Sequence, residues 1–155
     1  MRHIFATATA LVLLFAAIAP AQTKPNFAGK WALADPGAAD GRMIPATMTV
    51  TQDAKTITLL TVGQVGEVKT VFNLDGTPGK SPIEIQGMNI DRVTKSAWDG
   101  SKLVLTTVSD FQGQSFETKQ IWTLNADGTL TVDATRPDFQ GGGGPVTSKS
   151  VYKKQ

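Results

Sequence analysis

From Gly29 onward, apolar and polar residues alternate with a period of two, and no stretch carries a convincing helical period. Thr and Val are abundant, and Asp-Gly pairs recur between the alternating runs. The pattern predicts ten strands, at about 28–34, 45–53, 55–62, 66–74, 82–89, 92–99, 101–109, 115–125, 128–136 and 145–153. The clearest is Phe116 to Leu124. Alternation there puts Phe116, Thr118, Gln120, Trp122 and Leu124 on one face, with Glu117, Lys119 and Thr123 on the other and Ile121 as the exception. In the same way Leu130, Val132, Ala134, Met48 and Val50 point inward, while Thr129, Thr131, Asp133, Thr47, Thr49 and Thr51 point outward. The fifth strand, around Ile83-Glu84-Ile85, is interrupted by proline and glycine at Pro78, Pro82 and Gly87.

One wet and one dry face fits an antiparallel sheet in water and argues against an outer-membrane barrel, whose outer face is apolar. The links are short, so consecutive strands should pair as neighbours. Ten strands in one open sheet would leave long exposed edges, which closure removes. The expected fold class is therefore all-β: a single up-and-down antiparallel β-barrel of about 8–10 strands. A β-sandwich is the rival, but its Greek-key crossovers need longer links than this chain offers.

In such a barrel successive links alternate between the two ends. Asp53 to Lys55, Asp75 to Ser81, Asp99-Gly100 and Asn125 to Gly128 fall at one end, where most are tight Asp or Asn turns. Asp35 to Ile44, Gly63 to Gly66, Asn89 to Asp91, Asp110 to Gln114 and Pro137 to Pro145 fall at the other end and are looser. Phe27, Trp31, Phe72, Trp98 and Trp122 lie towards the tight end, where they could plug a floor. Ordinary core packing, with no cavity above that floor, would use the same residues.

Two features favour a cavity. Thr118 and Gln120 face inward in mid-strand, and a buried Gln without partners is costly, so a wet or ligand-filled interior suits it better than a dry one. Arg42, Arg92 and Arg136, the three arginines after residue 2, all fall at the loose end. Guanidinium groups bind carboxylates and phosphates in a planar, bidentate way, although loop arginines are also commonly just solvated charges. The candidate ligand-binding residues are accordingly Phe116, Thr118, Gln120 and Trp122 as lining, with Arg42, Arg92 and Arg136 at the rim.

The first 21 residues read as an export signal rather than as part of the fold. Arg2 and His3 precede an uncharged run from Ile4 to Ile18, and Ala19-Pro20-Ala21 is a small-residue cleavage site. The run is shorter than the roughly 20 apolar residues a membrane span needs. The chain therefore divides into a signal at 1–21 and one domain at 22–155, destined for the periplasm or the cell exterior. No Cys follows the site, so neither a lipoprotein anchor nor disulfides are expected. Beyond Arg2, 14 basic residues face 13 acidic ones, which gives no electrostatic footprint for nucleic acid or for an anionic membrane. The only histidine is His3, so the mature chain lacks both His and Cys. That removes Ser-His-Asp and Cys-His catalysis and His/Cys zinc sites.

The segment Asn26-Phe27-Ala28-Gly29-Lys30-Trp31 resembles the opening G-x-W of the lipocalins and the related calycin barrels. Thr49 to Asp53, Ser96 to Gly100 and Lys149 to Lys153 follow in the order of the fatty-acid-binding type, and small exported bacterial lipocalin-like domains are similar. The resemblance implies a closed end at Trp31 and a ligand inside the barrel. There are two departures. The arginine that precedes the last-strand tyrosine in that family is replaced by Ser150, and Asp35 to Ile44, with Pro36, Gly37 and Gly41, is too short for a helical lid. Fatty-acid binding is thus not carried over with the fold.

The functional expectation is a binding protein for a small amphiphilic, hydrophobic or anionic molecule in the barrel interior, needing no cofactor or metal. The alternative is a non-catalytic interaction or structural module with a filled core. An enzyme would have to rely on carboxylates such as Asp91, Asp110 and Asp138, which as loop residues are more simply turn formers. No EF-hand-like spacing points to calcium. Oligomeric state is not legible.

Overall fold

A computed structural model describes residues 23–39, 44–63, 66–85, 87–138 and 144–155. The segment 1–21, expected to be an export signal, and Arg42 lie outside the described residues. The strands are β1 (Gly29–Leu33), β2 (Thr47–Gln52), β3 (Thr56–Gly63), β4 (Gly66–Asn73), β5 (Gly79–Lys80), β6 (Ile83–Ile85), β7 (Met88–Asp99), β8 (Lys102–Phe111), β9 (Gln114–Leu124), β10 (Leu130–Arg136) and β11 (Val146–Lys154). The only helical element among the described residues is a 3-10 turn at Pro36–Ala38, so no helical lid is present there.

Every pairing is antiparallel, in the order β4-β3-β2-β1-β11-β10-β9-β8-β7-β5, with β6 also on β7. First meets last through Trp31 opposite Lys154, which is the closure expected of an up-and-down barrel. The expected fifth strand is present but split. Gly79 faces Thr94 and Ile83 faces Ile90 in one continuous register, and Ser81 N donates to the Arg92 carbonyl between them. Pro82 has no N–H to contribute, so the ladder breaks there without shifting. One expected loop is corrected: Asn89 to Asp91 belongs to β7, and the chain reverses instead between Ile85 and Met88, where Gly87 takes a φ of 78°. With β5 and β6 taken as one split strand there are ten strand positions, an even number, and the alternation of ends holds.

The barrel closes between β4 and the β5–β7 hairpin, where no backbone ladder forms among the described residues. Side chains bridge this seam. Thr94 Oγ1 donates to the Val71 carbonyl at 2.7 Å, and Ser96 Oγ donates to the Asn73 carbonyl at 2.6 Å. Ser81 Oγ accepts from Val71 N and donates to the Lys69 carbonyl, each at 3.4 Å. Nearer the open end, the Arg92 guanidinium reaches the Lys69 carbonyl and Thr70 Oγ1. Thr94 is fully buried and Ser96 nearly so, and Gly79 leaves room for Thr94: a Cβ there would stand 3.0 Å from Thr94 Oγ1.

The closed end is an aromatic floor. Phe27 packs edge-on to Trp122 with ring centroids 5.7 Å apart and stacks on Trp98 at 6.3 Å. Trp31 is buried and donates its indole N–H to the Phe27 carbonyl at 2.9 Å. The Lys154 ammonium lies 5.7 Å from the Trp31 ring centroid, close enough for a cation–π contact. The glycine of the G-x-W segment has its reason here: Gly29 has a φ of 146°, and a Cβ would meet Lys154 Cε at 2.6 Å. Leu103, Leu105, Leu130, Ile57 and Phe72 complete the core around these rings.

The tight turns at this end are tied by carboxylates. Asp53 accepts from the N–H groups of Lys55 and Thr56, Asp75 from Thr77, and Asp127 from Thr129. These bonds favour the ionised form. The Lys55 N–H holds the Asp53 pKa below its ordinary value of 3.8, and the Thr77 and Thr129 hydroxyls do the same for Asp75 and Asp127.

Two predictions follow from this architecture. Thr94→Val keeps the volume but deprives the Val71 carbonyl of its hydroxyl donor, and should lower urea-unfolding stability by about 1–3 kcal/mol. Because the three turn carboxylates are depressed in the folded state, their contribution is complete above 3.8 and is lost as pH falls through the lower folded values. Thermal midpoints measured by circular dichroism should drop on acidification from about pH 5 to about pH 2. The Asp53→Asn, Asp75→Asn, Asp127→Asn triple variant should give a shallower slope.

Candidate functional site

Above the floor, at the looser end, the interior holds a cavity of about 430 Å³. That is the size of a small-molecule site, and the mouth of a β-barrel is a usual place for one. Most of its wall is apolar, including Met48, Leu59, Phe72, Ile83, Phe111 and Phe116. This wall follows from strand alternation: the inward residues of β9 and their counterparts on β7, β8 and β10 share one face, and the barrel turns that face onto itself.

Among the described residues, Arg92 is the only charged one lining the cavity. Its Nε donates to the Ser81 carbonyl at 2.9 Å, and one terminal nitrogen, Nη2, donates to Thr70 Oγ1 at 2.9 Å and to the Lys69 carbonyl at 3.3 Å. Nη1 has no partner among the described residues, and no carboxylate pairs with the guanidinium. Burial pushes the Arg92 pKa down with no carboxylate opposing it. Arginine nevertheless stays protonated in proteins, so this is a partly buried cation without a counterion among the described residues.

The other expected site residues separate in space. Phe116, Thr118 and Gln120 line the cavity, as alternation along β9 required. Trp122 is buried in the floor and does not line the cavity, but its indole N–H donates to Gln120 Oε1 at 2.9 Å. Its link to the site is therefore indirect. Arg136 ends β10 opposite Val146, on the open side, and is not part of the cavity wall. Of the expected arginine trio, only Arg92 is placed on the cavity wall by the described residues.

Several wall residues were not legible as a set from the sequence. Ser150 stands where the fatty-acid-binding pattern carries arginine, and it lines the cavity with Ser148 and Ser109. Tyr152, two residues on, also lines it, but its hydroxyl donates to the Pro45 carbonyl at 3.1 Å. Ser81, outside every expected site, was hidden because its role is to carry Arg92 across the seam.

No family model matches the chain, and neither does any curated protein. Among solved structures, a point mutant of the fluorescent protein UnaG is similar at 19% sequence identity and a TM-score of 0.50. The match spans 83% of this chain and 96% of that one. At this identity the likeness concerns the fold alone. Together with the nearly closed barrel of ten strand positions, it makes the fold of this chain calycin-like, of the lipocalin and fatty-acid-binding-protein kind.

Proposed function

We propose that this protein is an exported, non-catalytic binding protein that holds a small, apolar, anionic molecule inside its barrel. The carrying observation is that, among the described residues, Arg92 is the one charged group on the cavity wall and has no carboxylate partner. A half-buried guanidinium without a carboxylate is costly, and a ligand anion supplies the missing partner. The apolar wall then takes the rest of the molecule, so an amphiphile is favoured over a small inorganic ion. Export rests on Arg2, the apolar run after it and Ala19-Pro20-Ala21. The absence of His and Cys beyond His3 supports a binding role over catalysis. The rival module with a filled core needs no cavity, and the open space above the aromatic floor counts against it.

Dodecanoate and dodecanol differ in the charged head alone and make a direct test. Calorimetric titration should show wild-type protein preferring the acid by tenfold or more, roughly what a charge-assisted hydrogen bond provides. Arg92→Met should abolish that preference while leaving binding of the alcohol close to wild type. Equal affinity for acid and alcohol in the wild type, or a preference that survives Arg92→Met, would remove Arg92 as the anchor.

A further inference from the structure

Gln120 is the polar group set deepest along the inward face of β9, one inward position above the floor residue Trp122. A glutamine amide can ordinarily turn either end towards a ligand. Here the indole of Trp122 removes that freedom: its N–H donates to Oε1 at 2.9 Å, so Oε1 is the oxygen and Nε2 the donor. Nε2 has no partner among the described residues, although Gln120 lines the cavity. Ser150 Oγ, also on the wall, has none among them either. The deep part of the cavity therefore offers an unspent amide donor, Gln120 Nε2, whose own oxygen is already occupied by Trp122.

The ladder fixes how far this group stands from Arg92. Arg92 pairs with Ser109, and Ser109 with Phe116, so Arg92 and Phe116 share a level near the mouth. Gln120 lies four residues further along β9, paired with Leu105 of the core. At about 3.3 Å per residue the two levels are some 13 Å apart along the strands. A single anionic head cannot meet both.

We infer that Gln120, held by Trp122, forms a second recognition point that donates a hydrogen bond to a carbonyl-type acceptor at the far end of the ligand. This rests on the ligand-binding reading above and adds to it. The ligand class becomes a bifunctional molecule, with an anion towards the mouth, an apolar body and a neutral acceptor at the floor. Trp122 is a positioning residue, since it sets which end of the amide faces the ligand and lines no part of the cavity itself.

The test compares dodecanoate with its keto analogue, in which the carbonyl sits next to the terminal methyl. Calorimetric titration of the full mature chain should give the keto acid about tenfold higher affinity, the worth of one good hydrogen bond. Gln120→Leu should erase that advantage, so that the two acids bind within about twofold of each other. Because Gln120→Leu also leaves the Trp122 N–H without an acceptor, Gln120→Met serves beside it. Its sulfur is a weak acceptor of comparable reach with no donor, and it should erase the advantage equally. Equal binding of the two acids by the wild type, or an advantage that persists in both variants, would overturn the second point and leave Arg92 standing. Failure of both acids to bind would overturn the anionic-ligand reading and this inference with it.

Discussion

The interior of this protein exists because a sheet that does not finish its backbone pairing is nevertheless closed. Between β4 and the β5–β7 hairpin, hydroxyl groups from Ser81, Thr94 and Ser96 take over from the missing ladder. Side-chain hydrogen bonds of this kind are worth most where water is excluded, and Thr94 and Ser96 are buried. Pro82 makes the arrangement intelligible. It cannot donate to a neighbour, and it lies on the short interrupted strand at the seam.

The same seam supplies the chemistry of the site. Arg92 spends its Nε and one terminal nitrogen on the Ser81 carbonyl, Thr70 and the Lys69 carbonyl, which fixes the plane of the guanidinium. The nitrogen left over is thereby held in place rather than waving on a flexible stem, and preorganised donors lose less freedom on binding. Trp122 and Gln120 repeat the device at the other end of the cavity. A floor residue whose main task is packing also fixes the orientation of an amide in the layer above. At both ends the groups that complete the barrel also aim the polar atoms.

The asymmetry between the two ends has a simple source. Asp53, Asp75 and Asp127 fold back on their own turns and need little sequence to do so, and the chain can then spend its aromatic residues on sealing that end. At the other end the cavity opens above Gln120 and Phe116, where the wall is mostly apolar.

Strand positions, the inward face of each and the aromatic end were determined by the sequence, because alternation with period two and Asx turn chemistry are local and independent of distant contacts. The lining role of Phe116, Thr118 and Gln120 was legible for the same reason. Other features depended on the closed barrel. Arg92 and Arg136 look alike in the sequence, yet among the described residues only Arg92 lines the cavity wall, because Lys69 and Thr70 meet it across a seam that joins residues far apart in the chain. Trp122 follows the lining pattern perfectly and still falls in the floor, since parity tells a side chain which face to take but not how deep the packed layer reaches. Depth, and the pairing of groups across the seam, are set by how the sheet curls, and curling is a property of all the strands together.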